Sequence, residues 1–278
     1  MENGKNKDSK MEARRKVASA LATEYDGFSV RYENQPEFVR TQPYTEFLTV
    51  IKGSVKITEN GNAVVINEGE VGIINSFAIH SLTPSPDAEC VGVLFGGEYL
   101  SDFTRKMGDC EFDQKVTSEG KQEISHLIKE IATRGEELDF FEKKAYANFM
   151  ISRIVKSGAI KKAERSTNAK VSTIIRYIYE NSERDISLKT IADEFGYVPM
   201  TVSHIFSKYV GKDLRRFTNE IRIRKAGFIL AKDTDKKQSI AEIAKECGFK
   251  SVATFHRIYK EYYGTSPRGE IIENPDEE

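Results

Sequence analysis

Hydrophobic and polar positions follow different periods in successive stretches of the chain. Between Phe28 and about Tyr99, short runs rich in β-branched and aromatic residues are cut by turn residues. The runs are Glu46–Ile51, Gly53–Thr58, Ala63–Ile66, Val71–Ile74, Ser81–Thr83 and Cys90–Phe95, each the length of a strand. Asn60-Gly61 separates two of them as a tight hairpin turn requires. Strands so short and so spaced predict a barrel or sandwich. From Thr117 to Lys162 the period becomes helical. Ile124, Leu127, Ile128 and Ile131 make one apolar face, and Leu138, Phe141, Ala145, Phe149, Ile151, Ile154 and Val155 most of another, with Gly135 at the join. Two antiparallel helices follow from that pattern. Ahead of the strands, Val17, Ala18 and Leu21 predict a short amphipathic helix within Met11–Tyr25, after a polar start.

The last hundred residues contain one pattern written twice. Leu188–Tyr197, then Pro199–Lys208, closes at Gly211; Ile240–Phe249, then Ser251–Lys260, closes at Gly264. Ile191-Ala192 and Gly196-Tyr197 correspond to Ile243-Ala244 and Gly248-Phe249. After one extra residue in the second turn, Val202 and Phe206 correspond to Phe255 and Tyr259. A duplicated supersecondary unit is the direct reading. Ser187, Ser239 and Ser251 stand where helix N-caps belong, and Pro199 where a missing N–H does no harm. Val202, Ile205, Phe206 and Tyr209 face inward in the first copy, as do Phe255, Ile258, Tyr259 and Tyr262 in the second. The outer faces carry Met200, Thr201, Ser203, His204 and Ser207, against Val252, Ala253, His256, Arg257 and Lys260. Leu214–Asp233 joins the copies as one long helix with Phe217, Ile221, Ala226 or Ile229, and Leu230 inward. A helix over Val171–Asn181, with Ile174, Ile175 and Ile178 inward, precedes both copies.

Composition narrows the class. With 278 residues, 39% hydrophobic and 31% charged, the chain suits about two soluble globular domains. No apolar run approaches the roughly 20 residues of a membrane span, and no apolar h-region follows the basic N-terminus, so no secretory signal is expected. Cys90, Cys110 and Cys247 lack metal or redox spacing and read as thiols of a reducing cytoplasm. Net charge is −1, but from Ala169 to Glu270 the Lys and Arg residues outnumber Asp and Glu by 19 to 13. A basic module on an acidic body suits a nucleic-acid partner.

The C-terminal region resembles the DNA-binding domain of the AraC/XylS family of bacterial transcription regulators. Its most specific residues are Ile240-Ala-Glu-Ile-Ala-x-x-x-Gly-Phe249, Phe255-x-Arg257, Gly264-x-Ser-Pro267 and Ile221-Arg222-x-x-x-Ala226. Tyr259 stands where the family usually has Phe. The strand region resembles a cupin in its order of motifs, with Glu46 followed by Gly53 and then Glu68-Gly69-Glu70. Transferred onto this chain, the cupin paired-His positions fall on Arg40 and Gln42 and the later His near Gly72. One carboxylate does not supply a transition metal's ligands, so no metal, no cofactor and no enzymatic activity are expected.

The resemblance thus implies an α+β multidomain protein: an N-terminal cupin-like β-barrel with a helical hairpin, then an all-α double helix-turn-helix. The expected boundaries are an N-terminal arm or helix at 1–27, an effector or sensor barrel at 28–112, a hairpin at 113–162 that covers the barrel, forms a dimer interface or does both, a linker at 163–169, a DNA-binding domain at 170–270 and an acidic tail at 271–278. Candidate DNA-binding residues are Met200, Thr201, Ser203, His204, Arg222, Val252, Ala253, His256, Arg257 and Lys260. Arg40, Tyr44, Glu46 and His80, close to predicted strands, are candidates for holding an effector, and Phe77 and Ile79 for covering one mouth of the barrel. The implied partners are a double-stranded DNA operator, a small-molecule effector, a second copy of the chain and, for an activator, RNA polymerase. The implied location is the cytoplasm, at the nucleoid. The rival readings are a metal-dependent cupin enzyme and a regulator controlled by a protein partner.

Overall fold

A computed structural model describes residues 28–33, 41–117, 120–135, 137–163, 167–233 and 237–268. The expected N-terminal arm, Arg40, the acidic tail and positions 164–166 of the expected linker lie outside these. The described residues form two compact units, one of residues 28–176 with Lys208–Gly211 and one of Tyr177–Ser207 with residues 212–268.

The N-terminal unit is rich in sheet. Its strands are β1 (Phe28–Glu33), β2 (Thr45–Lys52), β3 (Ser54–Glu59), β4 (Asn62–Asn67), β5 (Val71–Ile74), β6 (His80–Pro84), β7 (Glu89–Phe95), β8 (Cys110–Phe112), β9 (Lys115–Val116) and β10 (Ile160–Lys162). One sheet has the order β1-β7-β2-β5-β9, a second β4-β3-β6, and β10 pairs with β8. The expected closed barrel is not what the described strands build. They form two open sheets packed face to face. Leu48, Val50, Ile74 and Cys90 of the large sheet meet Val55, Ile57, Ile66 and Leu82 of the small one in a common core. Alternation fixes the faces, because successive side chains on a strand point opposite ways. The β3–β4 turn is the expected hairpin, with Asn60 at φ 51° and Gly61 at φ 88°, both in the left-handed region that such a turn needs.

Three helices cover the other face of the large sheet: α1 (Gly97–Met107), α2 (Lys121–Arg134) and α3 (Phe140–Ser157). Phe47, Ile73, Val91, Val93 and Phe95 pack there against Tyr99, Phe103, Ile124, Ile128, Met150 and Ile154. Helix α1 was not expected from the sequence. The inner face of α3 also differs from expectation. Ala147, Met150, Ile151 and Ile154 are buried, whereas Phe141 and Phe149 are 78% and 43% exposed. The turn of the helix decides this, since residues at 147, 150, 151 and 154 share a face that 141, 145 and 149 do not.

The C-terminal unit is helical. Helix α4 (Thr167–Asn181), which begins inside the expected linker span and buries Ile174, Ile175 and Ile178, leads into it. Then come α5 (Leu188–Phe195), α6 (Pro199–Ile205), α7 (Leu214–Lys232), α8 (Ile240–Glu246) and α9 (Val252–Tyr263). Helix α6 does not stop as a plain α-helix but widens into a π-turn over Phe206–Val210. The inner faces follow expectation with one correction: Tyr262, which continues the Phe255–Ile258–Tyr259 stripe into the last turn of α9, is 45% exposed. Ile223, not anticipated as inward, is fully buried.

Candidate nucleic-acid interface

Each helix-turn-helix is set by local rules before any long-range contact. Ser187 Oγ accepts from the Thr190 N–H at 3.1 Å. Ser239 Oγ accepts from the Glu242 N–H at 3.2 Å, and Glu242 returns the bond by accepting from the Ser239 N–H at 2.7 Å. These caps satisfy N–H groups that the helix leaves open. The same bonds draw the Glu242 carboxyl below its usual pKa, as a carboxylate accepting N–H bonds should be. Gly196 (φ 69°) and Gly248 (φ 85°) make the turns. Gly248 meets a second demand: a Cβ there would lie 2.7 Å from Glu183 Cα and 2.8 Å from the Ser182 carbonyl oxygen.

Helix α7 serves both copies. Phe217 packs on Phe206 of the first at 5.5 Å between ring centroids. Ile223 and Ala226 enter the core of the second with Ile243, Ala244, Cys247, Phe249 and Phe255. Burial pushes the Cys247 thiol up to about 12, so it is a packed, unreactive group. Because one helix joins both cores, α6 and α9, the helices expected to read DNA, are parts of one body.

On α6, Ser203 and His204 are exposed, Thr201 is half-buried and Met200 is 78% exposed. On α9, Ala253, Arg257 and Lys260 are exposed and Val252 is 40% exposed. His256 sits at the margin, half-buried, its ring edge-on to Phe255 and its Nδ1 buried without a hydrogen-bond partner. Arg257 pairs with Glu261 at 3.4 Å, both side chains 64% exposed. Such a pair holds its cation weakly, so Arg257 is available to another partner.

Arg222 is placed differently from these. Its Nε donates to the Ser182 carbonyl at 2.7 Å and a terminal nitrogen to the Arg184 carbonyl at 2.8 Å. The guanidinium lies 6.0 Å from the centroid of the Phe249 ring, and burial lowers its pKa from the ordinary arginine value. These contacts tie the loop after α4 to α7 beneath the second turn.

Val198, 62% exposed, and Lys250 also reach the surface at the tips of the two turns, and neither was singled out from the sequence. Their position immediately before a reading helix was the available signal. Lys250 bridges to Asp185 at 2.9 Å, across an open groove of about 570 Å³ lined by Arg184, Lys245, Phe249 and Ser251.

Residues 191–269 match the family model described as a helix-turn-helix domain. The chain carries a helix-turn-helix domain over these residues. Among curated relatives, the transcriptional activator RhaS of Escherichia fergusonii is 23% identical over 190 residues, covering 68% of this chain and 61% of RhaS. This chain spans less than two thirds of the length of the curated relatives it matches. Among solved structures, ToxT of Vibrio cholerae aligns over 87% of this chain and 96% of its own, at 16% identity and a TM-score of 0.47. A regulator with an AraC-type DNA-binding domain from Chromobacterium violaceum covers 34% of this chain and 82% of its own, at 26% identity and a TM-score of 0.31.

The candidate effector residues of the N-terminal unit are interior. Tyr44 is 8% exposed, and Glu46 and His80 are 1% exposed. Glu46 stands on β2 of the large sheet and His80 on β6 of the small one. Gly92 leaves the space that the Glu46 carboxylate occupies, since a Cβ there would lie 2.7 Å from Oε1. Gln42 Nε2 donates to Glu46 at 3.0 Å, while Gln42 Oε1 and Thr41 Oγ1 are buried with no hydrogen-bond partner. His80 Nδ1 lies 3.0 Å from the Ala78 carbonyl, a partner that only accepts, so this nitrogen carries the proton. Among the described residues no group of His, Cys, Asp and Glu is arranged to hold a metal ion, and no helix is long and apolar enough to cross a membrane.

Proposed function

We propose that the chain is a sequence-specific DNA-binding transcription regulator, not an enzyme, whose two reading helices enter successive major-groove faces of one operator. The observation that carries this is the pair of capped helix-turn-helix units joined through α7, each with an outward face of hydrogen-bonding or cationic side chains. Held in one body, two such helices suit grooves one helical turn apart. Lysine and arginine contacts to phosphate give affinity, and a few side chains select bases. Met200, Thr201, Ser203, His204, Val252, Ala253, His256, Arg257 and Lys260 form the reading surface in this proposal. Arg222 supports that surface from behind. RhaS is named a transcriptional activator, which supports regulation of transcription, with RNA polymerase as a partner if this chain also activates. The site of action would be the cytoplasm, at the nucleoid.

The N-terminal unit, whose order of sequence motifs resembles a cupin, is the proposed sensor. A buried amide oxygen without a partner on Gln42, whose nitrogen donates to Glu46, and a buried hydroxyl without one on Thr41 favour a small molecule that donates hydrogen bonds, because unsatisfied buried oxygens are costly to keep. Such an effector acts only by binding two states of the protein unequally. The α2–α3 hairpin is the proposed site of self-association, on the strength of its exposed phenylalanines.

Selection of bound duplexes from random sequence by the full chain tests the DNA reading. Arg257→Ala should then lose roughly 1–3 kcal/mol at one base position if Arg257 makes a bidentate contact with guanine. An unchanged sequence preference in that variant would remove Arg257 from base readout. Failure to enrich any sequence would overturn the function itself.

A further inference from the structure

The two copies differ in charge at and beyond the tips of their turns. The second tip is Lys250-Ser251-Val252, followed on α9 by exposed Arg257 and Lys260. The first is Val198-Pro199-Met200, in which Val198 is 62% and Met200 78% exposed. No Lys or Arg occurs from Tyr197 to Ser207, and the half of helix α5 next to the tip exposes Asp193 and Glu194, its one exposed lysine, Lys189, standing at the far end. A tip without lysine or arginine gains little from phosphates, whose attraction is what those side chains supply. It must reach a base by other means.

The first residues of a reading helix are the ones that meet base edges. In the major groove the apolar feature on offer is the C5-methyl group of thymine. We infer that the first reading helix selects thymine through Met200 and Val198, while the second supplies the contacts to phosphate and guanine. The inference rests on the DNA-binding function proposed above. Local geometry favours it. Pro199 occupies the first turn of α6, and Val198 before it is extended at φ −94° and ψ 149°. A proline-fixed backbone keeps the apolar pair at the tip with little conformational freedom to lose. The tip is also continuous with the outer face that carries Ser203 and His204.

The test uses the full chain and the duplex it selects, with deoxyuridine replacing each thymidine in turn. That change removes one methyl group and leaves pairing intact. At one or two positions, wild-type affinity should fall about threefold to fivefold, the scale of one buried methyl group. Met200→Ala should bind the thymine duplex more weakly by a similar factor and lose sensitivity to uracil at one of those positions. Val198→Thr, which keeps the shape of the side chain, should do the same at a neighbouring position. Both variants should retain the wild-type dependence on salt, whereas Lys260→Ala should lower that slope by about one. If a sequence is enriched but both variants remain as sensitive to uracil as the wild type, the inference fails and the DNA reading stands. The apolar tip would then belong to a protein partner. If no sequence is enriched, both fail.

Discussion

Replacing Arg222 separates two jobs that arginine performs in DNA-binding proteins. In this structure its guanidinium donates to the carbonyls of Ser182 and Arg184 at 2.7 and 2.8 Å. Hydrogen bonds with a charged partner contribute about 1.5–3 kcal/mol each. The site is half-buried, so water recovers part of that when the side chain is removed. Arg222→Ala should therefore cost about 2–4 kcal/mol. For a domain of this size the loss lowers the melting temperature by roughly 10 °C or more. Arg222→Lys keeps the charge but not the two-pronged geometry and should recover less than half of the loss.

Thermal and urea denaturation of the full chain, followed through the transition of the C-terminal unit, measures the cost. Binding to a selected duplex across a salt series measures the other job. If Arg222 neutralised a phosphate, its removal would lower the salt slope by about one and leave stability unchanged. If it clamps the fold, its removal lowers stability and leaves the slope, measured well below the melting temperature, where it was. Stability of Arg222→Ala within about 0.5 kcal/mol of wild type, together with the reduced slope, would refute the clamp and return Arg222 to the reading surface.

Other perturbations have distinct signatures. Gly248→Ala should be worse than Gly196→Ala, because both impose a left-handed backbone on alanine but only the first drives a Cβ to 2.7 Å from Glu183. About 1–2 kcal/mol is expected at Gly196 and clearly more at Gly248, by denaturation. Glu59, buried against Asn75, has its pKa raised by desolvation. The folded state then holds its proton to higher pH than the unfolded state does, so stability attributable to Glu59 falls as pH rises above about 4.5. The wild type minus Glu59→Gln difference in stability should show that fall and then level off, and a rise instead would contradict it. Phe141→Asp should abolish any concentration-dependent dimer seen by sedimentation, and a dimer unaffected by it would exclude the α3 face.

The helix-turn-helix copies were legible because every level of their sequence agrees. Ser187 and Ser239 cap, Gly196 and Gly248 turn, and the 3.6 period buries Ile191, Ala192, Ile243 and Ala244. The N-terminal unit was legible only as strands. Which strand lies beside which depends on pairings distant in sequence, such as β1 with β7 and β2 with β7, and no local signal reports these. Helix α1 begins within Gly96-Gly97 and ends at Gly108, a setting that reads as loop. Strands β8, β9 and β10 have two or three residues each, too few to show alternation. Arg222's partners were hidden for a related reason. Its charge and its place on α7 are visible in the sequence, but its carbonyl partners lie 40 and 38 residues away.

What the copies share and what they do not has a consequence for the operator. Ile191 and Ala192 are as fully buried as Ile243 and Ala244, because each pair closes the same helix angle and tolerates little change in volume. The outer faces carry no such constraint and have diverged to Val198, Met200, Ser203 and His204 on one side, Lys250, Ala253 and Arg257 on the other. If both surfaces read DNA as proposed, two unlike surfaces fixed in one order by α7 would read two unlike sequences in one order, and the site of a single chain would have a direction. Inverted symmetry within that site would require like surfaces, which these are not. Any repeat in a natural operator, inverted or direct, therefore has to come from a second chain. The spacing of such a repeat would report how two N-terminal units meet, a quantity that changes when the α3 face is altered and stays fixed when α6 or α9 is.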